Sequence, residues 1–363
     1  MTADDRTVVL HYTGYTVDRG GLMVAVRNLC ATRRFRAVLG VSAGFQREGT
    51  PLAIEAVELP EIDPEMIDAR NFLRARRVAD AVRAWLGADA GRIFHVHSRA
   101  GLLVALWLWA WGERRLVASV HCYGRHRWFY RAVQRVLGPR LRWLSPAMKR
   151  YYYGGATADW SACVPVALAT GEKTVAIRRF PGGRPLRLGA AGQLTPNKRW
   201  DLVLAALARL PRDASVEFHH IGATVATAAS QRCAEDLRAR ARRDGTAGRV
   251  HWHGWQPDSA DLLARVDVVV VPFEHESFSL IAVEALCAGV PVIALRGGGP
   301  DDYVIDGVNG WLLPPRDAEA LAQKLKLLLS PDAWNGLRPV PGALDRFAPE
   351  RVAEDWVRIY GSL

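Results

Sequence analysis

Closely spaced cysteines are missing from this chain of 363 residues: Cys30, Cys122, Cys163, Cys233 and Cys287 lie far apart and form no C-x-x-C pair. That spacing excludes the usual zinc modules, and the odd count argues for a reducing compartment. No run of 18 or more apolar residues occurs, so no membrane-spanning helix is expected. The start, MTADDRTVVLHYTG, carries acids where a signal peptide would carry a basic region. A cytoplasmic protein is therefore expected. No D-x-D appears, and no G-x-G-x-x-G follows the first apolar run, which counts against a nicotinamide dehydrogenase. Low-complexity tracts and internal repeats are also lacking.

What is present is enough apolar material for two cores. Half of the residues are hydrophobic and 23% are charged, ordinary for a folded protein of two domains. The net charge of +11 is uneven. Residues 113–150 hold ten basic side chains (Arg114, Arg115, Arg125, Arg127, Arg131, Arg135, Arg140, Arg142, Lys149, Arg150) against the single acid Glu113. Charge concentrated in this way favours an anionic partner at one place, although a merely solvated face reads the same.

Short β-branched runs alternate with longer helical patterns. TVVLHY, AVLGVS, RIFHVHS, RLVASVH and LRWLS read as strands, with LMVAVRNLC and AMKRYYY as helices between or after them. After the Pro/Gly-rich RRFPGGRP (178–185) the pattern restarts. LRLGAAG, VEFHHIG, RVHWHG, VDVVVVP and PVIAL read as strands, and NKRWDLVLAALARL, QRCAEDLRARARR and FSLIAVEALCAG as helices. Such alternation predicts an α/β protein of two Rossmann-like, doubly wound domains facing across a cleft. The expected division is 1–175, with a terminal helix over 348–363 packing back on it, and 186–345. Ligands of such sheets bind at the carboxyl ends of the strands. VDVVVVP, apolar without alternation, reads as a central strand buried on both faces.

The most informative stretch is VVVVPFEHESFSLIAVEALCAGVPVIAL (268–295). A buried strand ends at Pro272, a loop carries Glu274, His275 and Glu276, and a helix is expected to start near Ser277, capped by Ser277 or Glu276 and stopped by Gly289. Free amides and the positive dipole end of a first helical turn favour phosphate. Glu284 lies about two turns in among apolar neighbours, where a carboxylate needs a partner. A ribose diol suits it, and so would an arginine or a backbone amide of the core. Eight helical residues rise about 12 Å, so Glu276 and Glu284 could touch different parts of one extended ligand.

This stretch resembles the E-x7-E signature of retaining GT-B glycosyltransferases, family 4 in particular. The resemblance implies that Glu276 lies near the donor sugar, that Glu284 holds the ribose, and that amides at Phe278, Ser279 and Leu280 meet the pyrophosphate. The family commonly has glycine where this chain has Ser279. AAGQLTPNKRWDLVLAA (190–206) is similar to the family's entry to its second domain, where an Arg and a Lys clamp the diphosphate. Lys198 matches the Lys; Gln193 replaces the Arg, losing the charged bidentate fork.

HVHSRAGLLVAL (95–106) and LVASVHCYG (116–124) resemble first-domain strands of the family, and His121 falls where it places a histidine against the donor sugar. A strand-end histidine packed in a core is the other reading. Gly20-Gly21 resembles the glycine loop that lets backbone approach phosphate or acceptor. GWQPDSADLLARVDV (254–268) is similar to the segment bordering the base, making Trp255 and Gln256 base-site candidates, or Trp255 a buried structural residue. GGGPDDYVIDGVNGWLL (297–313) resembles the loop after the next strand, with an acid kept at Asp302. His95 with His97, and His251 with His253, each share a strand face but lack a nearby third ligand, so structural or base-lining roles are expected and no metal site.

The resemblance thus implies a metal-independent, retaining transfer of a sugar from a UDP- or GDP-linked donor. The catalytic residues would be His121, Glu276 and Lys198, with front-face attack by an acceptor hydroxyl and no cofactor. The expected partners are a nucleotide sugar and a glycan or lipid-linked acceptor. In HRWFYRAVQRVLG (126–138), Arg127, Arg131 and Arg135 recur every fourth residue beside Trp128, Phe129 and Tyr130. Either this helix lies on an anionic membrane surface, peripheral to the inner face, or it packs on the first domain and turns its arginines to water or an acidic soluble acceptor. AGLLVALWLWAW (100–111) is too short to span and reads as a buried helix. A protein binding nucleic acid or an anionic surface through residues 113–150 is a competing class, but no nucleic-acid motif accompanies the charge and Glu276, Glu284 and Lys198 would go unexplained. A related sugar-nucleotide epimerase is a third.

Overall fold

The computed structural model describes residues 7–18, 20–46, 54–155, 160–169, 176–273, 275–340 and 342–363. The chain divides into two units, Met1–Gly171 with Asp345–Leu363, and Glu172–Leu344. The Pro/Gly-rich stretch at 178–185 falls within the second, where Arg184 forks onto the buried carboxylate of Asp267 at 2.6 and 2.8 Å.

The first unit runs β1 (Val8–Tyr12), α1 (Gly21–Ala31), β2 (Arg36–Ser42), β3 (Glu55–Leu59), α2 (Ala69–Gly87), β4 (Arg92–Val96), α3 (Arg99–Ala110), β5 (Leu116–Val120), α4 (Arg127–Leu137), β6 (Leu141–Trp143) and α5 (Pro146–Tyr153). Its strands are all parallel in the order β3-β2-β1-β4-β5-β6. Helix α3 is apolar all round because it is buried, as expected, with Leu102, Val104, Ala105 and Leu108 essentially without exposure. Ser98 caps it, accepting from the Gly101 amide at 3.3 Å. Helix α2 and strand β3 were not read from the sequence. The stripe Ala75, Val78, Ala79, Val82, Leu86 buries one face of α2 under a cap at Asp68, which accepts from the Asn71 amide at 2.7 Å.

The second unit runs β7 (Leu186–Ala191), α6 (Trp200–Ala208), β8 (Val216–Ile221), α7 (Ala228–Arg243), β9 (Val250–Trp252), α8 (Ala260–Arg265), β10 (Val268–Val271), α9 (Leu280–Cys287), β11 (Val292–Leu295), β12 (Gly310–Leu313) and α10 (Ala318–Leu328). The order β12-β11-β10-β7-β8-β9 repeats the winding of the first sheet. Strand β10 sits inside it, its four valines at most 1% exposed, so the unbroken apolar run is a doubly covered strand.

The last helix, α11 (Pro349–Tyr360), belongs to the first unit. Val352, Ala353, Trp356 and Tyr360 join a core cluster with Val9, Phe35 and Ile93. In both sheets the order reverses beside the first strand, between β1 and β4 and between β7 and β10. Crevices at the strands' carboxyl ends open at that point.

Candidate active site

In the second unit the chain leaves β10 through Phe273 and reaches α9 by way of two left-handed residues, His275 at φ 55° and Ser279 at φ 66°. Glu274 lies outside the described residues. The helix begins at Leu280, three residues later than expected, and Ser279 precedes it without a side-chain cap. Glu276 does part of that work from outside the helix: its Oε1 accepts from the Ser279 amide at 3.2 Å. Glu276 is therefore in the loop, and the expected two-turn helical separation from Glu284 does not exist. Glu284 stands about one turn into α9.

The other oxygen of Glu276 receives Lys198 Nζ at 2.9 Å, with the two side chains 25% and 13% exposed. Lys198 ends a 3-10 turn over Pro196–Lys198, and its Nζ also lies 4.0 Å from the centroid of Phe273. Trp200, buried behind it, donates its indole N–H to the carbonyl of Gln193 at 2.9 Å and so ties the end of β7 to the start of α6. Gln193 itself is half-buried. A lysine, a carboxylate and helix-start amides are thus gathered at one turn.

Two glycines carry that turn from below. A Cβ on Gly298 would meet the Glu276 carbonyl oxygen at 2.7 Å, and one on Gly299 would meet Phe278 Cα at 2.8 Å. The Gly299 amide donates to the Glu276 carbonyl at 2.6 Å. No other residue allows the backbones so close. Tyr303, fully buried, donates its hydroxyl to the carbonyl of Phe278. Burial first, then the carboxylates of Glu276 and Asp302, push its pKa well above the ordinary phenol value, so it remains a donor. Gly298, Gly299 and Tyr303 went unassigned in the sequence. Asp302 closes the 3-10 turn Gly299–Asp302.

Among the described residues Glu284 finds neither an arginine nor a backbone amide. Its Oε2 accepts from the hydroxyl of Ser259, just before α8, at 2.6 Å. Burial raises its pKa, the Ser259 hydrogen bond opposes this, and Asp258 adds to it. Ser259 ends the loop that starts with Trp255 and Gln256, so the base-site candidates and Glu284 share one neighbourhood. Trp255 is 42% exposed, which removes the reading of a buried structural tryptophan. Gln256 is exposed and donates to the carbonyl of His253 at 3.4 Å.

In the first unit His121 follows the carboxyl end of β5. With His97, Ser98, Arg99, Cys122 and Glu65 it lines a small pocket. Its Nε2 lies 2.9 Å from His97 Nδ1, and His97 Nε2 lies 3.0 Å from His11 Nδ1. Burial lowers both His121 and His11 to about 3, so the row is neutral. Among the described residues His11 Nε2 is buried without a partner. An unpaired lone pair is cheaper than an unpaired N–H, so the favoured register has His11 donating to His97 and His97 to His121. His121 then carries its proton on Nδ1.

His95 completes the cluster, paired with Tyr360 Oη at 2.7 Å and Ser119 Oγ at 2.8 Å. The expectation that the histidine pairs lack a third ligand fails in space. His11 joins His95 and His97, and Glu217 and His219 join His251, because neighbouring strands bring distant residues together. Gly20 takes φ 94°, a conformation that requires glycine, at the start of α1. Beside Gly21 no described residue comes within 4 Å of the space a side chain would take.

Helix α4 settles one sequence alternative in part. Phe129, Tyr130, Val133 and Leu137 are buried, so its main apolar face belongs to the first unit's core. Trp128, 70% exposed, and Val136, 41% exposed, remain outside with Arg125, Arg127, Arg131 and Arg135. Arg127 lies over the Tyr151 ring at 4.1 Å, and Arg131 donates to the Tyr152 carbonyl at 2.7 Å. No helix of the described residues is long and apolar enough to cross a membrane.

Residues 185–331 match the family described as Glycosyl transferases group 1, and the second unit carries such a domain. Among curated proteins, the chain is 32% identical over 147 residues to a lipopolysaccharide core biosynthesis glycosyltransferase, LpsE, of Rhizobium meliloti, covering 40% of this chain and 39% of that protein. It is 35% identical over 216 residues to a D-inositol 3-phosphate glycosyltransferase of Stackebrandtia nassauensis, covering 54% and 46%. The chain therefore spans less than half the length of these relatives. Among solved structures, HepE of Anabaena in complex with UDP and glucose superposes with a TM-score of 0.73 at 17% identity, over 98% of this chain and all of that one. The fold is GT-B, as the strand–helix alternation and the signature implied.

Proposed function

We propose that the chain is a retaining, metal-independent glycosyltransferase of the family 4 type, moving a sugar from a UDP- or GDP-linked donor to an acceptor hydroxyl. The observation that carries this reading is the convergence of Lys198 and the Ser279 amide on Glu276 at the turn from β10 into α9, with Glu284 one turn on. As the bond to the sugar breaks, charge develops on the departing diphosphate and needs donors already in place. Lys198 and the amides at Phe278, Ser279 and Leu280 supply them, and they do so without a divalent ion. Glu276, released by the lysine, accepts from sugar hydroxyls.

Glu284 takes the ribose diol with the support of Ser259, and Trp255 and Gln256 border the base. Gln193 adds a neutral donor where the family has a charged one. His121, neutral and with its proton fixed by His97, is offered to the sugar as a hydrogen-bond donor and not as an acid. Gly20 and Gly21 leave backbone open to phosphate or acceptor. The two glycosyltransferase relatives and the UDP-bound structure support a nucleotide sugar as donor. A relative of lipopolysaccharide core biosynthesis supports a glycan or lipid-linked acceptor. Trp128 and Val136 among arginines on α4 support contact with an anionic membrane surface. Release of UDP or GDP from a panel of nucleotide sugars, with and without membrane glycolipid extracts, tests the activity. No release from any donor overturns it.

A further inference from the structure

Strands β8 and β9 end the second sheet, with β9 at its edge. Their register sets His219 opposite His251. Glu217 precedes His219 by two residues and His253 follows His251 by two, so all four side chains fall on one face of the sheet. The imidazoles stack: His219 lies 4.6 Å from His251 at 18° and 5.4 Å from His253 at 5°, ring centre to ring centre. None of the four is used by the site described above.

We propose that Glu217, His219 and His251 bind one divalent transition-metal ion of the zinc type. One ligand atom from each of the three lies within 4.8 Å of the others. A tetrahedral ion with bonds of about 2.0–2.1 Å needs its ligand atoms about 3.4 Å apart, a contraction that small side-chain rotations supply. His219 Nε2 already lies 3.2 Å from Glu217 Oε2. Among the described residues His251 Nε2 is buried with no hydrogen-bond partner, which leaves this nitrogen open to an ion when the ring carries its proton on Nδ1.

His253 serves as the outer partner. Its Nε2 stands 3.1 Å from His219 Nδ1, and once the ion holds His219 by Nε2, the Nδ1 proton is donated there, which fixes the ring. Two imidazoles and one carboxylate suit zinc, nickel or cobalt and not magnesium, which prefers oxygen alone. The fourth position is left to water.

The buried cluster of His11, His95 and His97 is different in kind. Both nitrogens of His95 and both of His97 are spent on hydrogen bonds, leaving only His11 Nε2. That group is a hydrogen-bonded row, whereas the β8–β9 face has an idle ligand. Two cations oppose the ion: Arg187 on β7 reaches Glu217 at 3.3 Å, and Arg265 disfavours positive charge at His253. An ion here would tie the edge strand to β8 just ahead of Gly254, whose carbonyl accepts from Gly222, and of the Trp255 loop.

Titration of the chelator-stripped full chain with Zn2+ by calorimetry, and with Co2+ by its visible spectrum, tests the site. The expected result is one equivalent bound, weakened tenfold or more by His251→Ala or by Glu217→Gln, and tightened by Arg187→Gln, which removes one competing cation and keeps the ligands. Unchanged far-ultraviolet circular dichroism of the variants confirms that each is folded. Binding that survives both ligand substitutions, a thiolate band in the Co2+ spectrum marking the free cysteines as ligands, or no stoichiometric binding to the native sequence overturns the proposal.

Discussion

Lys198 Nζ and Glu276 Oε2 stand 2.9 Å apart at the mouth of the β10–α9 turn, each partly covered by protein. A pair at this depth gains more than one on the surface and costs more to strand. On the proposed mechanism a diphosphate arriving at Lys198 would exchange one anion for another, so the lysine would never be left uncompensated. The carboxylate, released by both Lys198 and the Ser279 amide, would turn to the sugar hydroxyls. Lys198→Ala is therefore expected to lower kcat/KM for nucleoside diphosphate release by roughly tenfold to a hundredfold, the range of a charge-assisted hydrogen bond of about 1.5–3 kcal/mol. A variant within twofold of the native enzyme would remove Lys198 from the mechanism.

Ser279 holds a left-handed conformation in a buried position, and its Oγ meets no partner among the described residues. Left-handed backbone costs an L-residue roughly 1–2 kcal/mol, against a somewhat smaller entropic cost of glycine. Ser279→Gly should leave the urea midpoint unchanged or raise it slightly, and Ser279→Val should lower stability by about 2 kcal/mol or more, since branching at Cβ worsens the clash. Equal midpoints for the two variants would show that the strain is not there.

The neutral histidine row gives the stability a direction in pH. His11 has its pKa lowered by burial to about 3 from an ordinary 6.5, so between these values the unfolded chain binds the proton that the folded chain refuses. Stability is fully present above pH 6.5 and falls as the pH is lowered towards 3. The slope is up to about 1.4 kcal/mol per pH unit for each such group. Urea midpoints should decline steadily from pH 7 to pH 5. A flat profile over that range would mean that the row is solvated.

On helix α4 the exposed Trp128 and Val136 stand among arginines whose helix is held by its other face. Flotation with vesicles rich in anionic lipid at moderate salt is expected to carry the protein upward, and Trp128→Ala with Arg135→Ala to abolish this. Neutral vesicles should fail to carry it. If the native chain stays at the bottom with anionic vesicles, α4 is only a solvated basic face.

The sequence was most informative where one residue type dictates one environment. The valines of β10 could be read as a covered strand because no half-exposed strand is so uniformly apolar, and Glu284 because a carboxylate on an apolar helix needs a partner. The identity of that partner, Ser259, was hidden 25 positions away. Helix α2 had a cap and a clean stripe, but its many arginines masked the pattern. The late start of α9 was hidden because a helix that begins after a left-handed serine obeys no common capping preference. The third members of both histidine clusters come from adjacent strands, and register across a sheet is not written in local spacing.

The proposed function requires that a nucleoside diphosphate be held at the β10–α9 turn. It is tested most directly by thermal melting of the native chain, Lys198→Ala and Glu284→Gln with UDP, GDP and ADP. A ligand that binds only the folded state raises the melting temperature. A clear rise with UDP or GDP is expected for the native chain, lost or much reduced in both variants. A native chain indifferent to all three nucleotides, or variants that respond as fully as it does, would contradict it.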